Sequence, residues 1–171
     1  MIYDMAVDST GDVYVAGLTR SSDFPIVSAD DDSYGGNGDG FIARFDETLS
    51  SLERSTYFGG GGEDIIKGIV ISGDDLYVSG YTKSSDLNDT TGAYLDSHSG
   101  TSKKDAFLAK FDKDLSTDDL DIATYYGAAA NDEDAIALDL DSSGNVYTVI
   151  NDSTDQDIEL LKFNSGLTSL S

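Results

Sequence analysis

The chain contains VYVAGLTRSSD at residues 13–23 and repeats it as LYVSGYTKSSD at residues 76–86. A second block follows in the same order in both places. The segment DGFIARFD at residues 39–46 returns as DAFLAKFD at residues 105–112. Blocks that recur in a fixed order, about 65 residues apart, indicate copies of one supersecondary unit stacked along the chain.

Two further matches extend the repeat. The segment TYFGG at residues 56–60 returns as TYYGA at residues 124–128. A more degenerate third copy begins with NVYTV at residue 145 and continues with DIELLKFN at residue 157. The sequence therefore predicts three units, which we assign to residues 1–64, 65–134 and 135–171, the last one incomplete.

Each unit reads as four short antiparallel strands joined by polar turns that contain Gly, Asp and Ser. The first two strands of each unit are separated by a tight turn with Gly at its tip, where a positive φ is needed. The expected strands are 3–8, 12–18, 40–46 and 53–58, then 65–71, 75–82, 105–112 and 121–126, then 135–140, 145–150 and 157–163, with residues 167–171 as the start of a twelfth.

The third strands alternate apolar and mixed positions, which is typical of strands in a packed sheet. Phe41, Ala43 and Phe45 share one face, and residues 107, 109 and 111 repeat that pattern. Glu159 takes the corresponding position in the third unit, so we expect the third sheet to be edge-like or less well packed.

Four-stranded antiparallel units of this length are typical of β-propeller blades. The strings GDVYVAGLT, SSDFP, DGFIARF and STYFGG within residues 11–60 resemble the SBBP (seven-bladed β-propeller) repeat of bacterial and archaeal surface proteins. The resemblance weakens at Asp86-Leu87-Asn88 and at Ile150-Asn151. It implies an all-β propeller segment and a secreted or cell-surface location, but no particular reaction.

Three blades are too few to close a propeller, since four to eight blades are usual. The chain is therefore expected to be either a fragment of a longer protein or one protomer of an oligomer. The expected partners are neighbouring blades of a longer chain or other protomers. The first residues contain no basic segment and no apolar signal core, so no signal peptide is predicted in this segment.

The charge excludes several classes of partner. The chain has 33 acidic and 10 basic residues and a formal net charge of −23. Such a field repels phosphate backbones, so nucleic-acid binding is not expected. The apolar runs are far shorter than the roughly 18 residues that a membrane span needs, so no insertion is expected. With no cysteine, disulfides and thiolate sites are excluded. A saline habitat would also explain the acidity.

Calcium is the one candidate cofactor, because hard oxygen ligands in turns suit it. Asp139 and Asp141 open a turn that resembles a calcium loop, but Ile150 stands where a bidentate Glu would be needed. An ordinary hairpin turn explains this segment better than a calcium loop does. Asp30, Asp31 and Asp32 form a second candidate, and so does the run 132–134. The alternative for both acidic runs is a solvated surface.

No residue is assigned a catalytic role. His98 is the only histidine, and its place in a long polar loop favours an exposed side chain. The Gly run 59–62 lacks the Lys-Ser/Thr that follows a phosphate-binding loop, so a turn between units is the better interpretation. Arg44, Lys110 and Lys162 occupy equivalent positions, and we expect each to pair with an Asp of the adjacent unit.

The long loops 20–38 and 83–104 leave the repeat at the same point, which places them on one rim. Phe24, Tyr34 and Tyr94 in these loops are the candidate ligand-binding residues, since aromatic rings stack on sugars. The sequence favours a non-enzymatic scaffold or adhesive module that binds glycan or protein. The alternative is a carbohydrate-active hydrolase or lyase with carboxylates at the propeller channel.

Overall fold

Strands are the regular structure of this protein. The computed structural model describes residues 1–100, 103–116 and 118–171, and within these ranges no helix is formed. The eleven strands are β1 (Ile2–Val7), β2 (Val13–Thr19), β3 (Asp39–Phe45), β4 (Leu52–Phe58), β5 (Asp64–Ser72), β6 (Asp75–Thr82), β7 (Asp105–Asp112), β8 (Leu120–Tyr126), β9 (Glu133–Leu140), β10 (Val146–Asp152) and β11 (Asp157–Phe163). Each of the eleven was predicted, with ends that move by no more than two residues.

The strands form three separate antiparallel sheets, and none of these sheets closes on itself. Blade 1 has the order β1-β2-β3-β4, blade 2 has β5-β6-β7-β8, and blade 3 has β9-β10-β11. Strand β5 contacts β1, β2 and β3, and β9 contacts β5, β6 and β7. Successive blades are thus joined through their first strands, and the all-β propeller-segment prediction is confirmed.

Each blade has two apolar faces because its strands alternate in side-chain direction. The face that carries the tyrosine of the second strand (Tyr14, Tyr77 or Tyr147) is called the back face. The front face carries the residue just before that tyrosine. Blade 1 turns its back face to the front face of blade 2, and blade 2 turns its back face to blade 3.

The core lies between blades rather than inside one sheet. Between blades 1 and 2, the rings of Phe58 and Phe107 lie 4.8 Å apart, and both are buried together with Tyr14 and Ile42. Between blades 2 and 3, Tyr77 is buried against a smaller apolar group from blade 3. Each Å² of apolar surface that is buried contributes about 25 cal/mol. This contribution is the main stabilisation of such an interface.

Blade 3 differs from the other two, as the sequence predicted. It has three strands, and the expected twelfth element is a single bridge between Leu170 and Phe163. Glu159 does not enter a core. Its Oε2 accepts a hydrogen bond from the Tyr126 hydroxyl of blade 2, so the substitution of a phenylalanine by a glutamate here replaces apolar packing with a polar contact between blades.

The three equivalent cations pair mainly within their own blades, which corrects the expectation of pairing with the adjacent unit. Lys110 Nζ lies 3.0 Å from Asp75 Oδ1 and 2.8 Å from Asp121 Oδ2, and both acids belong to blade 2. Lys162 pairs with an aspartate of its own blade. Arg44 pairs with Asp12 of blade 1 at 2.6 Å and with Asp114 of blade 2 at 3.2 Å, so Arg44 is the one member of these three that also pairs across two blades. The strand register explains the pairing within a blade. Each cation lies directly across from the tyrosine of the second strand, and this position is beside the turn that supplies the carboxylate.

Candidate functional site

The two long loops lie along the outermost strands of their own blades. In blade 1, Tyr57 N donates to Asp31 O, and Asp31 N donates to Thr56 Oγ1 at 2.8 Å. In blade 2, Tyr125 N donates to Leu95 O, and Leu95 N donates to the hydroxyl of residue 124 at 3.0 Å. The same pair of bonds at the same repeat position fixes both loops and satisfies an otherwise open sheet edge.

Phe24 and Tyr34 pack on the front face of blade 1. The ring of Phe24 lies 4.8 Å from Phe41 and 5.7 Å from Tyr57. The ring of Tyr34 lies 5.8 Å from Tyr57. Both loop side chains are half-buried, so the structure brings these two candidates together, and each keeps part of its surface in contact with solvent.

Tyr94 lies apart from them, at the junction of blades 2 and 3. Its ring stacks on Tyr126 at 6.5 Å and meets Phe163 edge-on at 5.7 Å. The residue remains 37% exposed. Tyr94 N also donates to Leu167 O at 2.9 Å, which fixes the loop against blade 3. The ligand-binding role of the three aromatic residues stays a prediction.

His98 is buried, contrary to the expectation of an exposed loop residue. Its side chain is 3% exposed, and Nε2 lies 3.7 Å from Asp105 Oδ1. The imidazole meets Tyr125 edge-on at 5.7 Å, and Tyr34 packs at a similar distance, although tilted, on the equivalent Tyr57. The histidine is thus the blade 2 counterpart of Tyr34, and packing against the sheet removes it from solvent. Residues 101 and 102 of this loop lie outside the described residues.

Four strands begin with a buried carboxyl group at the end of the blades from which the long loops leave. Asp39 and Asp105 are the first residues of β3 and β7, and Asp64 and Glu133 are the first residues of β5 and β9. Asp39, Asp64 and Asp105 are no more than 1% exposed, and Glu133 is 4% exposed. We call these residues the junction carboxyls, since each pair joins one blade to the next.

The first pair lies between blades 1 and 2. Asp64 accepts hydrogen bonds from Gly60 N at 2.9 Å, from Ser84 Oγ at 2.7 Å and from the Thr82 hydroxyl. Asp39 Oδ2 accepts one from Gly35 N at 2.7 Å. Burial raises the pKa of Asp64, and burial together with the charge of Asp64 raises the pKa of Asp39 to about 6. The Oδ1 atom of Asp39 is buried without a hydrogen-bond partner.

The second pair lies between blades 2 and 3. Asp105 accepts hydrogen bonds from Ser99 N at 2.7 Å and Ser99 Oγ at 2.5 Å. Glu133 Oε1 accepts one from Ala128 N at 2.8 Å, whereas its Oε2 is buried without a partner. Burial, with the charges of Asp105 and Asp152 as smaller causes, raises the pKa of Glu133 to about 7.

Gly127 allows the second pair to come together. A Cβ on this residue would lie 2.7 Å from Asp105 Oδ1 and 2.9 Å from Glu133 Oε2, both closer than real Cβ contacts allow. The pair of Asp105 and Glu133 can hold and release a proton between blades 2 and 3. It is closed to a polymeric substrate, because Glu133 Oε2 has no contact with solvent.

The aspartates singled out for calcium serve as hydrogen-bond acceptors for nearby groups of the protein. Asp141 accepts from the amides of Ser143 and Asn145 at 2.9 and 3.0 Å, and its pKa lies well below the usual range because of the bonds from Asn145. Asp139 Oδ1 accepts from Leu140 N at 2.8 Å. The contacts of Asp141 are hairpin-turn contacts of the kind that aspartate makes to nearby backbone amides, whereas Asp139 lies within β9.

The run 30–32 is divided among three environments. Asp30 Oδ1 accepts hydrogen bonds from the amides of Asp119 at 2.8 Å and Leu120 at 3.3 Å, both in blade 2. Asp31 accepts from Ser33 N, and burial raises its pKa. Asp32 accepts from the Ser33 hydroxyl. Across residues 1–100, 103–116 and 118–171, no three His, Asp or Glu side chains are grouped so that they could hold a metal ion. Calcium binding by these residues stays a prediction.

The junction carboxyls were missed by the sequence analysis, although a signal was present. Asp39 and Asp105 open the repeated block that begins each third strand, directly after a long polar loop. A carboxylate at one fixed repeat position indicates a shared structural contact. The glycine run was interpreted correctly as a turn between units, since it lies between β4 and β5. The amides of Gly61 and Gly62 donate hydrogen bonds to Asp86 Oδ1 and Ser84 Oγ.

Comparison with known families agrees with the strand pattern. No helix in the described ranges is long and apolar enough to cross a membrane. No curated protein matches the chain. The family model SBBP, described as a beta-propeller repeat, matches residues 2–25, which cover β1, β2 and the start of the first long loop. Residues 2–25 are therefore similar to an SBBP beta-propeller repeat, and blades 2 and 3 repeat the strand order of blade 1.

Proposed function

We propose that this chain is a non-enzymatic propeller-type module of an extracellular or cell-surface protein, and that it acts as a scaffold or adhesive unit whose long loops bind glycan or protein. The observation that carries the proposal is the attachment of both loops along β4 and β8 by the same backbone bonds. A loop held in one conformation loses little entropy when it binds a ligand.

The aromatic side chains of these loops supply the contact surface. Tyr94 is 37% exposed and is held by Tyr126 on one side, so its free surface is presented in a fixed orientation. Phe24 and Tyr34 are fixed in the same way on Tyr57. Rigid aromatic groups among polar neighbours suit the apolar face of a sugar ring.

Native gel electrophoresis in soluble polysaccharides tests the glycan ligand. We expect the wild-type chain to be retarded by at least one polysaccharide from a panel of neutral glucan, galactomannan and alginate, and Tyr94→Ala to lose that retardation. Tyr3→Ala is the matched control, since Tyr3 is 42% exposed on β1, which lies at the opposite edge of blade 1 from β4. Equal mobility of Tyr94→Ala and wild type in every gel would exclude Tyr94 from binding.

A carbohydrate-active hydrolase or lyase is the second candidate function. One observation favours it, because Glu133 has a pKa near 7 and lies beside a second carboxyl group, as an acid–base pair requires. Its burial counts against direct contact with a polymer. Release of reducing or unsaturated ends from the same polysaccharides, which is abolished by Glu133→Gln, would support this function. Product release unchanged by the substitution would remove these residues from the reaction.

A further inference from the structure

The basic residues of this acidic chain are paired with acids in two different ways. Within the described ranges, five cations each contact at least one acid that pairs with no other cation. Lys110, for example, has both Asp75 and Asp121 to itself. Four further cations share only two acids. We call these six residues the basic cluster: Arg20, Lys67, Lys83 and Lys104 with Glu63 and Asp134.

The first half of the basic cluster lies between blades 1 and 2. Arg20 and Lys83 hold equivalent repeat positions, directly after β2 and β6. Arg20 Nη2 lies 2.6 Å from Glu63 Oε2, and Lys83 Nζ lies 3.2 Å from Glu63 Oε1. Although burial opposes ionisation, hydrogen bonds from Tyr81 and Lys83 hold the pKa of Glu63 below its ordinary value. The side chains of the two cations are 58% and 49% exposed, so a dissolved ligand can reach both.

The second half of the basic cluster joins blades 2 and 3. The ammonium groups of Lys67 and Lys104 both contact one atom, Asp134 Oδ2, and the Lys104 distance is 3.2 Å. Both lysines also lie over the ring of Tyr81, with Nζ at 5.4 Å and 4.4 Å from its centroid. The Tyr81 hydroxyl donates to Glu63 Oε1 at 2.9 Å. This ring therefore connects the two halves into one group.

The basic cluster has an excess of positive charge. Its four cations face two carboxylates, which leaves an excess of two positive charges in a chain whose net charge is −23. An ammonium group has three donors, and among the described residues each lysine of the cluster uses one of them on a carboxylate. Like charges held this close repel one another. A ligand that supplies negative charge and acceptor oxygens would offset that repulsion.

We propose that the basic cluster binds the oxyanion group of a small ligand, which is a carboxylate, a sulfate or a phosphate. An oxyanion accepts several charge-assisted hydrogen bonds at once, and therefore suits lysine and arginine donors that lie near one another. The ligand is small, because a polyanion would also meet the acidic surface of the rest of the chain. The basic cluster contains none of the three aromatic residues to which the binding of glycan or protein is assigned. Its test is therefore independent of that proposal.

An NMR titration of the ¹⁵N-labelled full chain at pH 7 and about 0.1 M NaCl tests this inference. The probes are sodium glucuronate, sodium sulfate and sodium phosphate, and sodium chloride at the same ionic strength is the blank. We expect at least one oxyanion to shift the amide signals of Lys83 and Lys104 with a dissociation constant on the order of 1–10 mM. The probe that binds identifies the kind of oxyanion. Binding should weaken as NaCl is raised, since salt screens charges in contact with solvent.

Substitutions with opposite effects distinguish ligand binding from ion pairing alone. Lys104→Gln removes one charged donor and should weaken binding about fivefold or more. Glu63→Gln keeps an oxygen for the Tyr81 hydroxyl but removes a negative charge, so it should bind the same anion about twofold more tightly or better. Lys162→Gln is the matched control, because Lys162 also lies over a tyrosine ring, at 5.2 Å, but pairs with an aspartate of its own. It should leave the dissociation constant within about twofold of wild type.

The same spectra show whether each variant is folded. Lys83→Gln is a second donor variant, whose exposed side chain can be replaced without disturbing the core. The inference is wrong if no oxyanion moves the signals of the basic cluster more than the chloride blank does. It is also wrong if Lys104→Gln and Lys83→Gln both bind as wild type does, if Lys162→Gln weakens binding as much as Lys104→Gln, or if Glu63→Gln binds no more tightly than wild type.

Discussion

Asp105 and Glu133 belong to successive blades, yet an oxygen of each lies within 2.9 Å of the same point, the place that a Cβ on Gly127 would take. Both side chains are buried, and only one oxygen of the glutamate has a hydrogen-bond partner. A buried carboxylate without full compensation is costly, so the contact between blades 2 and 3 is most stable when Glu133 carries a proton.

This contact predicts a stability that increases as the pH falls from about 8 to about 5. The pKa of Glu133 is raised from 4.5 to about 7 in the folded protein. Its neutral form is favoured by folding, so the stabilisation is complete below the unfolded pKa and is lost as the pH rises through about 7. The difference is on the order of 1–3 kcal/mol in the free energy of unfolding. Urea unfolding followed by circular dichroism across this pH range measures it.

Glu133→Gln separates this group from the others that titrate nearby. The amide cannot ionise, so we expect the variant to be more stable than wild type at pH 8 and to show a flatter dependence of unfolding free energy on pH. The pKa of Asp39 is also raised, to about 6. Its titration should therefore leave a smaller dependence of the unfolding free energy on pH in the variant. A slope in Glu133→Gln equal to that of wild type would contradict the assignment.

Gly127→Ala should destabilise the chain because the new Cβ has no room. It would meet two carboxyl oxygens at 2.7 and 2.9 Å, and these side chains are held between two blades. We expect a loss of about 1–3 kcal/mol in the free energy of unfolding, as for other overpacked sites. Gly61→Ala is the control, since its Cβ would meet nothing closer than Asp86 Oδ2 at 3.7 Å. Equal stability of the two variants would show that the carboxyls move aside.

The strands could be predicted from the sequence because their signals are local. Repeat blocks, alternation and turn residues located every strand, and the repeated positions identified equivalent residues in each blade. The environments of individual side chains depend on contacts between blades that are distant in sequence. The burial of His98 follows from the path of its loop along Tyr125, and the pairing of Asp105 with Glu133 follows from the stacking of two sheets. No local pattern contains that information.

The turn between β1 and β2 depends on one carboxylate. Asp8 Oδ1 accepts hydrogen bonds from the amides of Thr10, Gly11 and Asp12, and Oδ2 lies 3.4 Å from Lys113 Nζ of blade 2. Despite its burial, these bonds lower its pKa to about 2. The stabilisation is therefore present above the unfolded pKa near 4 and is lost as the pH falls towards 2.

Asp8→Ala should cost about 1–2 kcal/mol in the free energy of unfolding at pH 7, by analogy with lost capping side chains. Asp8→Asn keeps an oxygen for the three amides and loses only the charge opposite Lys113, so it should cost less than Asp8→Ala. Chemical unfolding at pH 7 and at pH 3 measures both. If the two variants are equally destabilised, the ion pair rather than the turn supplies the stability.

Leu108 and Leu160 form a matched pair that tests the stacking of blades directly. They hold the same position in β7 and β11, but Leu108 is 0% exposed between blades 2 and 3 whereas Leu160 is 72% exposed. Leu108→Ala leaves a cavity at that interface and should cost about 2–5 kcal/mol in the free energy of unfolding. Leu160→Ala removes side-chain atoms that already face solvent, so its cost in the monomer should be within about 0.5 kcal/mol. The measurement is urea unfolding at low protein concentration. Similar losses for both variants would mean that blade 3 is covered in solution, and negligible losses for both would mean that blades 2 and 3 do not pack as described.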